Sequence, residues 1–284
     1  MQRAAIRVTI ALLCVMTAGC SDGSPTGPKH LLQWKLASGE EFKLQLKQKQ
    51  TAKYTGKATK PPPPIDSTIE AELVLRIVKE GSAGEFELAI NAISLSIRGT
   101  VAGADMDLEY REGRWVKEEI QAPGSAADPK QMLEDFKQTL VRPSPGRARS
   151  YGLKPVEAAG GLALFSFLYR ALPLLPREPV AVGATWIEQA PVGTFSSMSS
   201  LGMADMSNHF EGLEEESGRR IAKIATYLEH TVSDQGTSMK VSRSRNARLD
   251  VEGGHFVYAT DDVSMTGNGW DVRVLAEVVL SRRK

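Results

Sequence analysis

Apolar and polar residues alternate with a period of two along most of this 284-residue chain. In residues 270–280 every second residue is apolar and charged residues stand between several of them, and residues 69–77 and 86–92 repeat the pattern. Alternation of this kind predicts strands with one buried face. One-sided strands are typical of antiparallel sheets, because buried parallel strands are apolar on both faces. The pattern therefore predicts a mainly β protein, with α+β character, built from antiparallel sheets.

The alternation changes phase within one predicted strand. Phe86, Leu88 and Ile90 share one phase, whereas Ile93 and Leu95 continue in the opposite phase. A strand that gains one residue relative to its partner shows such a change, so we expect a β-bulge near Ala92.

The middle of the chain has a different period. Asp128 precedes Pro129 and is followed three residues later by Gln131, which resembles a capped helix start. Apolar residues then recur at helical spacing up to Leu140, and residues 155–176 hold a segment that is apolar nearly all round. These features predict a central helical connection over residues 128–176.

Similar short patterns occur in the same order on both sides of this connection. "GEEF" (39–42) and "GATW" (183–186) each place an aromatic residue three positions after a glycine, and each is followed by a glycine-containing turn between alternating segments. We interpret these matches as two similar halves, residues 31–127 and 177–284. The expected arrangement is two sheets of some five strands each, with the helices between them.

The first 30 residues have the composition of an export signal and a tether. Arg3 and Arg7 precede a short apolar run that is too short to span a bilayer, as in a secretory signal. The run ends in Thr-Ala-Gly-Cys at residues 17–20, which resembles the lipobox of bacterial lipoproteins. An ordinary secretory signal with a chance cysteine is the alternative.

The lipobox resemblance implies a signal peptide over 1–19, cleaved before Cys20, and acyl chains such as palmitate on that cysteine. Residues 20–30 would then form a flexible, lipid-anchored tether. Ser21 after the cysteine implies the outer membrane, so the expected location is the cell envelope, facing the periplasm or the cell surface. The membrane is then one partner, contacted through the lipid.

The segment LPREPVAVGATW (175–186) resembles a motif of β-rich bacterial lipoproteins that have no known activity. The resemblance implies a second β half that begins here and no particular chemistry. Because Trp186 follows an extended, proline-containing stretch and begins a strand, we expect it to pack in the core.

Composition and motifs exclude several classes of function. Arg3 and Arg7 are two of the 35 basic residues, so residues 20–284 carry 33 basic against 34 acidic residues, which argues against nucleic-acid binding. The four histidines lack metal-ligand spacing, and no nucleophile elbow, phosphate loop or dinucleotide fingerprint occurs. We expect no cofactor, no metal and no catalytic residues, hence no enzyme.

Two basic stretches remain. Six lysines between Lys43 and Lys60 have no acidic residue among them, and "KVSRSRNAR" (240–248) places Arg243 and Arg245 on one strand face. Attraction of the lysines to anionic lipid headgroups or to a polyanion is the alternative interpretation. We expect both stretches to face solvent.

These observations favour an envelope-anchored lipoprotein that acts as a non-catalytic binding module for an apolar ligand or a partner protein. The ligand-binding candidates are Leu164, Phe167 and Leu168, in the most apolar part of the predicted helix. The alternative is a structural or interaction lipoprotein with a dry core and no ligand. A hydrolase assembled from distant serine, histidine and acidic residues is the third hypothesis.

Overall fold

A computed structural model describes residues 25–81, 84–101, 103–121, 131, 134, 144–155, 168, 171–191, 203–234 and 237–283. Fifteen strands lie in these residues. Their bounds are β1 Lys29–His30, β2 Glu41–Tyr54, β3 Ile65–Glu80, β4 Phe86–Val101, β5 Ala104–Arg111, β6 Arg114–Gln121, β7 Ser144–Arg149, β8 Gly152–Pro155, β9 Val180–Ala181, β10 Thr185–Pro191, β11 Met203–Glu216, β12 Arg219–Asp234, β13 Thr237–Asp250, β14 His255–Gly267 and β15 Trp270–Arg282.

Eleven of these strands form one antiparallel sheet in the order β10-β11-β12-β13-β14-β15-β2-β3-β4-β5-β6. Strand β7 adds to β4 and pairs in turn with β8, while β1 and β9 form a separate two-stranded sheet. The prediction of a mainly antiparallel β protein is therefore confirmed.

The two predicted halves share a single sheet, so the expectation of two separate sheets is wrong. Strand β15 pairs with β2 along its whole length, from Trp270 opposite Tyr54 to Arg282 opposite Phe42. Both strands carry apolar residues on the same face in matched register, for example Val278 opposite Leu46. Pairing also covers two long edges that would otherwise expose unpaired backbone groups.

One face of the sheet, which we call the inner face, carries the buried alternate residues. Two apolar clusters lie on it. The main cluster includes Phe42, Leu44, Leu75, Ile77, Leu95, Phe210, Ile224, Leu249 and Phe256, and the second cluster includes Met206, Leu228, Met239, Val241, Val263, Met265, Val272 and Val274. The opposite, outer face carries most of the exposed charges.

The predicted bulge near Ala92 is confirmed. Glu72 of β3 pairs with Ser94 and the next residue, Leu73, pairs with Ala92, so Ile93 has no counterpart. The bulge also marks where β4 changes its second partner, because β5 pairs with Ser94 and the residues beyond it, whereas β7 pairs with the residues up to Ile90.

The helical connection predicted over residues 128–176 is not shown. Residues 144–155 within it form the β7–β8 hairpin, and among the described residues of this range only four lie in helical turns, namely Gln131, Glu134, Leu168 and Ala171. The hairpin sequence contains prolines and glycines that disfavour helix, and the edge of β4 offers it backbone partners. No helix within the described ranges has the length and apolar character needed to cross a membrane.

The two halves begin with the same backbone arrangement. The amide of Gly39 donates to the carbonyl of Ile77, and the amide of Gly183 donates to that of Phe210, both at 2.8 Å. Both glycines have a left-handed φ, of 85° and 89°. A register shift directly follows both Ile77 and Phe210. Duplication of the complete halves, residues 31–127 and 177–284, stays a prediction.

Candidate functional site

The structure describes one of the four residues predicted for lipidation or ligand binding. Cys20, Leu164 and Phe167 lie outside the described residues. Leu168 lies in a helical turn, accepts a backbone hydrogen bond from Leu172 at 3.2 Å and leaves only 2% of its surface exposed. It packs in the main cluster on the inner face, together with Ala171, Leu172 and Leu175.

A row of buried polar side chains crosses the inner face between the two apolar clusters. We call this row the polar belt; its members are Glu188, Asn208, Thr226, Arg243, Arg245 and Asp261. Cross-strand pairing places Asn208 opposite Thr226, Thr226 opposite Arg245, and Arg245 opposite Asp261. Neighbouring strands therefore build the belt from side chains at one level of the sheet.

Two ion pairs form the centre of the belt. Arg243 and Asp261 form a bidentate ion pair, with Nε to Oδ1 at 2.7 Å and a terminal nitrogen to Oδ2 at 2.8 Å. Arg245 pairs with Glu188, which also accepts a hydrogen bond from Asn208 at 3.1 Å. The hydroxyl of Thr226 donates to the Asn208 amide oxygen at 2.6 Å. These hydrogen bonds compensate the loss of water around buried charges.

The expectation that Arg243 and Arg245 face solvent is wrong. Their exposed fractions are 3% and 1%, and both lie on the inner face. The sequence contained the signal, because the two arginines share the period-two phase of Val241 and Ala247, which are buried on the same strand. A charged residue on a buried face needs a buried partner. Asp261 lies on β14, the next strand, whereas Glu188 lies on β10, 57 residues from Arg245.

The belt clamps the chain that follows the helical turn at Leu168. A terminal nitrogen of Arg245 donates to the carbonyl of Leu172 at 3.2 Å, and the Glu188 carboxylate accepts from the amide of Leu174 at 2.6 Å. The indole of Trp186 donates to the carbonyl of Leu174 at 2.8 Å. Trp186 itself is half-buried and packs against the main cluster. The backbone of Leu174 is thus held on both sides.

Burial changes the electrostatics of Arg245. Loss of solvent lowers the pKa of its guanidinium from the ordinary value, and the Glu188 carboxylate opposes that change. Arginine nevertheless stays protonated in proteins, because its ordinary pKa lies far above neutral pH. Arg245 is therefore a buried cation, and the Glu188 carboxylate is its partner.

A cleft opens where the clamped segment meets the β7–β8 hairpin. The turn at Ser150 and Tyr151 joins the two strands, and its carbonyls accept hydrogen bonds from Trp34 and Leu175, both at 2.6 Å. The cleft has a volume of about 260 Å³. We call it the hairpin cleft; its lining residues are Glu85, Arg147, Ala148, Arg149, Tyr151, Gly152, Leu153 and Leu174.

The floor of the hairpin cleft is apolar. Leu153 is a buried member of the main cluster, and Leu174 is half-buried. Gly152 permits the close approach of Leu174, because a β-carbon on residue 152 would lie 2.2 Å from a Leu174 methyl carbon. The cleft thus gives direct access to the edge of the core.

The rim of the hairpin cleft is basic. Arg147 and Arg149 contact the single carboxylate of Glu85 at 3.3 and 3.5 Å, and Arg149 also donates to the Tyr151 hydroxyl at 3.1 Å. The guanidinium of Arg177 lies over the Tyr151 ring, 4.8 Å from its centre. Two guanidinium groups therefore share one carboxylate, and a third is stacked on Tyr151, which lines the cleft. Sequence reasoning missed this rim because residues 144–155 were assigned to a helical connection, although Arg147, Arg149 and Tyr151 alternate with the period of a strand.

A second cavity, of about 400 Å³, lies on the outer face across β15, β2, β3, β4 and β5. Its charges largely pair with one another: Lys47 contacts Glu70 at 2.9 Å, and Arg111 contacts Glu109. Lys43 likewise pairs with Glu72 on the same face. Such mutual pairing is typical of a solvated strand face, so this trough offers less to a ligand than the hairpin cleft does.

Metal and histidine chemistry finds little support in the described ranges. No group of three or more histidine, cysteine, aspartate or glutamate side chains there could hold a metal ion. His209 has Thr185 as a neighbour, with 3.4 Å between Nδ1 and the hydroxyl oxygen. His255 is buried beside Phe42, with 5.5 Å between ring centres.

The fold and the cleft together define a large antiparallel β protein with a small, arginine-rimmed cleft at its core edge. No protein-family model matches the chain. No curated protein matches it. Among solved structures, it is similar to a chain from a study of lipid–protein interactions in lipovitellin, with a TM-score of 0.47 and 9% sequence identity. The similarity covers 88% of this chain and 26% of the lipovitellin chain, so this chain spans about a quarter of that protein chain.

Proposed function

We propose that the protein is an envelope-anchored lipoprotein that acts as a non-catalytic binding module for an apolar ligand, bound at the hairpin cleft. One observation carries the proposal: the cleft has a floor formed by Leu153, a core residue, and by Leu174. A ligand seated there would extend the apolar core outward. Each 100 Å² of apolar surface removed from water contributes roughly 2.5 kcal/mol.

Hydrogen bonds within the protein hold the floor of the cleft in place. The amide and carbonyl of Leu174 are fixed by Glu188 and Trp186, and the carbonyl of Tyr151 holds Leu175. A fixed floor reduces the conformational entropy lost on binding. The volume of about 260 Å³ is slightly below the range of roughly 300–1,000 Å³ usual for ligand pockets. The cleft therefore suits one end of a chain-like molecule.

The anchoring part of the proposal rests on the sequence around Cys20. Two or more acyl chains on that residue would give stable membrane attachment, because one chain gives only marginal binding. The protein would then present its cleft at a membrane surface, where apolar molecules are abundant.

A structural role with a dry core is the second candidate. The burial of Leu168, predicted to contact a ligand, favours it, because only 2% of the surface of that residue is exposed. The two candidates differ at the hairpin cleft, which a purely structural protein would leave to solvent.

Native mass spectrometry of the full-length protein, extracted from membranes in mild detergent, tests the proposal. We expect an apolar ligand that co-purifies and that reloads after its removal. Leu174→Gln should abolish retention, because it places an amide on the cleft floor. Leu275→Gln, which alters an exposed leucine of the outer face, serves as the matched control and should retain the ligand.

A protein that carries no ligand, and that takes up none from a mixture of membrane lipids and fatty acids, would contradict the binding proposal. Retention unchanged by Leu174→Gln would remove the hairpin cleft from the site.

A further inference from the structure

We propose that the ligand of the hairpin cleft is an acyl chain with an anionic head group, and that Arg147, Arg149 and Arg177 hold that head group. The inference rests on the proposed function and names the chemical class of the ligand. A carboxylate or a phosphate ester supplies the required anionic oxygens.

The lining of the hairpin cleft has a positive net charge. Within the described part of the chain, Glu85 is the one carboxylate that lines the cleft, against Arg147, Arg149 and the neighbouring Arg177. The lining itself therefore carries an excess of one positive charge, and Arg177, stacked on the lining residue Tyr151, adds a second. Like charges held close together favour an anion between them, and the field weakens with ionic strength.

The contacts that Arg147 and Arg149 make with Glu85 are long. Glu85 is shared by Arg147 and Arg149 at 3.3 and 3.5 Å, both longer than the 2.7–2.9 Å usual for a charge-assisted hydrogen bond. Neither guanidinium forms a bidentate ion pair such as the one between Arg243 and Asp261. The rim arginines therefore keep donors for a further anion.

Arg177 contacts the cleft residue Tyr151. Its guanidinium covers the face of the Tyr151 ring at 4.8 Å, which fixes the group by stacking and leaves its N–H edge available. Tyr151 also receives the hydrogen bond from Arg149 at 3.1 Å. One ring of the cleft lining thus contacts two of the three arginines.

The apolar floor indicates which chemical group is attached to the anion. Leu153 and Leu174 lie under the basic rim, so a bound anion would have its attached group against leucine side chains. A free inorganic anion would leave that floor exposed to water. An acyl chain covers it, with the head group at the rim.

The test compares two photoreactive probes on the full-length protein in detergent micelles: a 16-carbon diazirine fatty acid and the corresponding primary alcohol. Mass spectrometry of the labelled peptides gives the extent of labelling in residues 144–155 and 171–177. An exposed ion pair changes affinity by up to about fivefold. Because at least two such pairs would form at the rim, we expect the acid to be preferred over the alcohol by about tenfold at subsaturating concentration.

Substitutions of the three arginines distinguish an effect of their charge on ligand binding from an effect on the fold. The triple change Arg147→Gln, Arg149→Gln and Arg177→Gln should reduce labelling by the acid to the level of the alcohol and leave alcohol labelling unchanged. The corresponding triple lysine variant should retain a reduced preference, because lysine keeps the charge and loses the planar fork. Arg273→Gln, at an exposed arginine of the outer face, is the matched control.

Equal labelling by both probes in the unaltered protein would overturn the anionic head group and leave the apolar ligand standing. Labelling of the cleft by neither probe would overturn the proposed function itself. Inorganic phosphate is a third arm. If it displaces the acid while the alcohol fails to label, the cleft is a site for free anions, and the acyl ligand is wrong.

Discussion

The ion pair between Glu188 and Arg245 links the sheet to the cleft. Glu188 accepts hydrogen bonds from Asn208 and from the amide of Leu174, and Arg245 reaches the carbonyl of Leu172. Both charges are almost fully buried. A pair of this kind has little net effect on stability when complete and a large effect when one charge is removed, because the other stays buried without compensation.

We predict that Glu188→Gln lowers the free energy of unfolding by about 3–5 kcal/mol, as expected when one member of a buried pair is lost. Denaturant unfolding measures the change. Asp262→Asn is the control, because it breaks the exposed pair with Arg273 and should cost at most about 1 kcal/mol. Similar losses in both variants would mean that the Glu188 pair is accessible to water.

The buried ring of His255 makes the stability of the protein depend on pH. Burial lowers its pKa, helped by the charges of Arg282 and Arg219, while the Gly253 carbonyl and Asp250 oppose the change. The fold therefore prefers the neutral ring. Its contribution to stability is complete above the unfolded pKa of about 6.5 and is lost as the pH falls from there towards the lower folded pKa.

We expect the free energy of unfolding to decrease between pH 7 and pH 5, with a contribution from His255 of at most about 1.4 kcal/mol per pH unit. His255→Gln should flatten this part of the profile, because glutamine does not titrate. An identical profile in the variant would show that another group causes the decrease.

At the scale of elements, the β7–β8 hairpin is the part of the fold that makes the cleft. Gly152 stands opposite Arg149 in this hairpin and gives room to Leu174. We predict that Gly152→Ala pushes the Leu174 side chain into the cleft and reduces ligand retention severalfold. The melting temperature should change little, because the displaced atom is the end of a flexible side chain.

Gly99→Ala is the contrasting variant at the same scale. Gly99 has a φ of 112°, and an added β-carbon would lie 2.0 Å from the backbone oxygen of Asp66. This change should lower the melting temperature of the sheet. Full ligand retention in the Gly152→Ala variant would mean that Leu174 does not border the bound ligand.

The strands were predictable from sequence because one-sided burial leaves a period-two pattern in each of them. The bulge at Ile93 was predictable for the same reason, since an extra residue reverses the phase. The pairing of β15 with β2 was not, because the register between the chain's two halves is set by contacts more than 200 residues apart.

The polar belt and the hairpin cleft escaped sequence reasoning for different reasons. The period-two phase of Arg243 and Arg245 indicates burial, whereas their charge indicates exposure. Burial became evident only when the structure showed Asp261 and Glu188 as their buried partners. The hairpin is short, and its Pro145 and Gly146 obscure a strand pattern that becomes a strand only beside β4.

For the molecule as a whole, the segment that follows the proposed anchor joins the rest of the fold at Gly183 and at β9, which pairs with β1. The described chain begins at residue 25, beside Gly183, only a few residues after Cys20. We predict that Cys20→Ser leaves the signal peptide uncut or releases the protein into the soluble fraction. Membrane fractionation with mass analysis of the amino terminus measures this; a variant that is correctly cut and fully retained in the membrane would refute lipid anchoring.

Hydrogen exchange of the full-length protein, with and without added hexadecanoic acid, tests the central claim most directly, because it locates the ligand on the chain. We predict slower exchange in residues 144–155 and 171–177, where the amides of Leu174 and Leu175 fix the floor of the cleft. Strand β14, on the far side of the β15–β2 junction, should be unchanged. No change in the two cleft segments at saturating acid, or a change confined to other strands, would contradict a binding module built around the hairpin cleft.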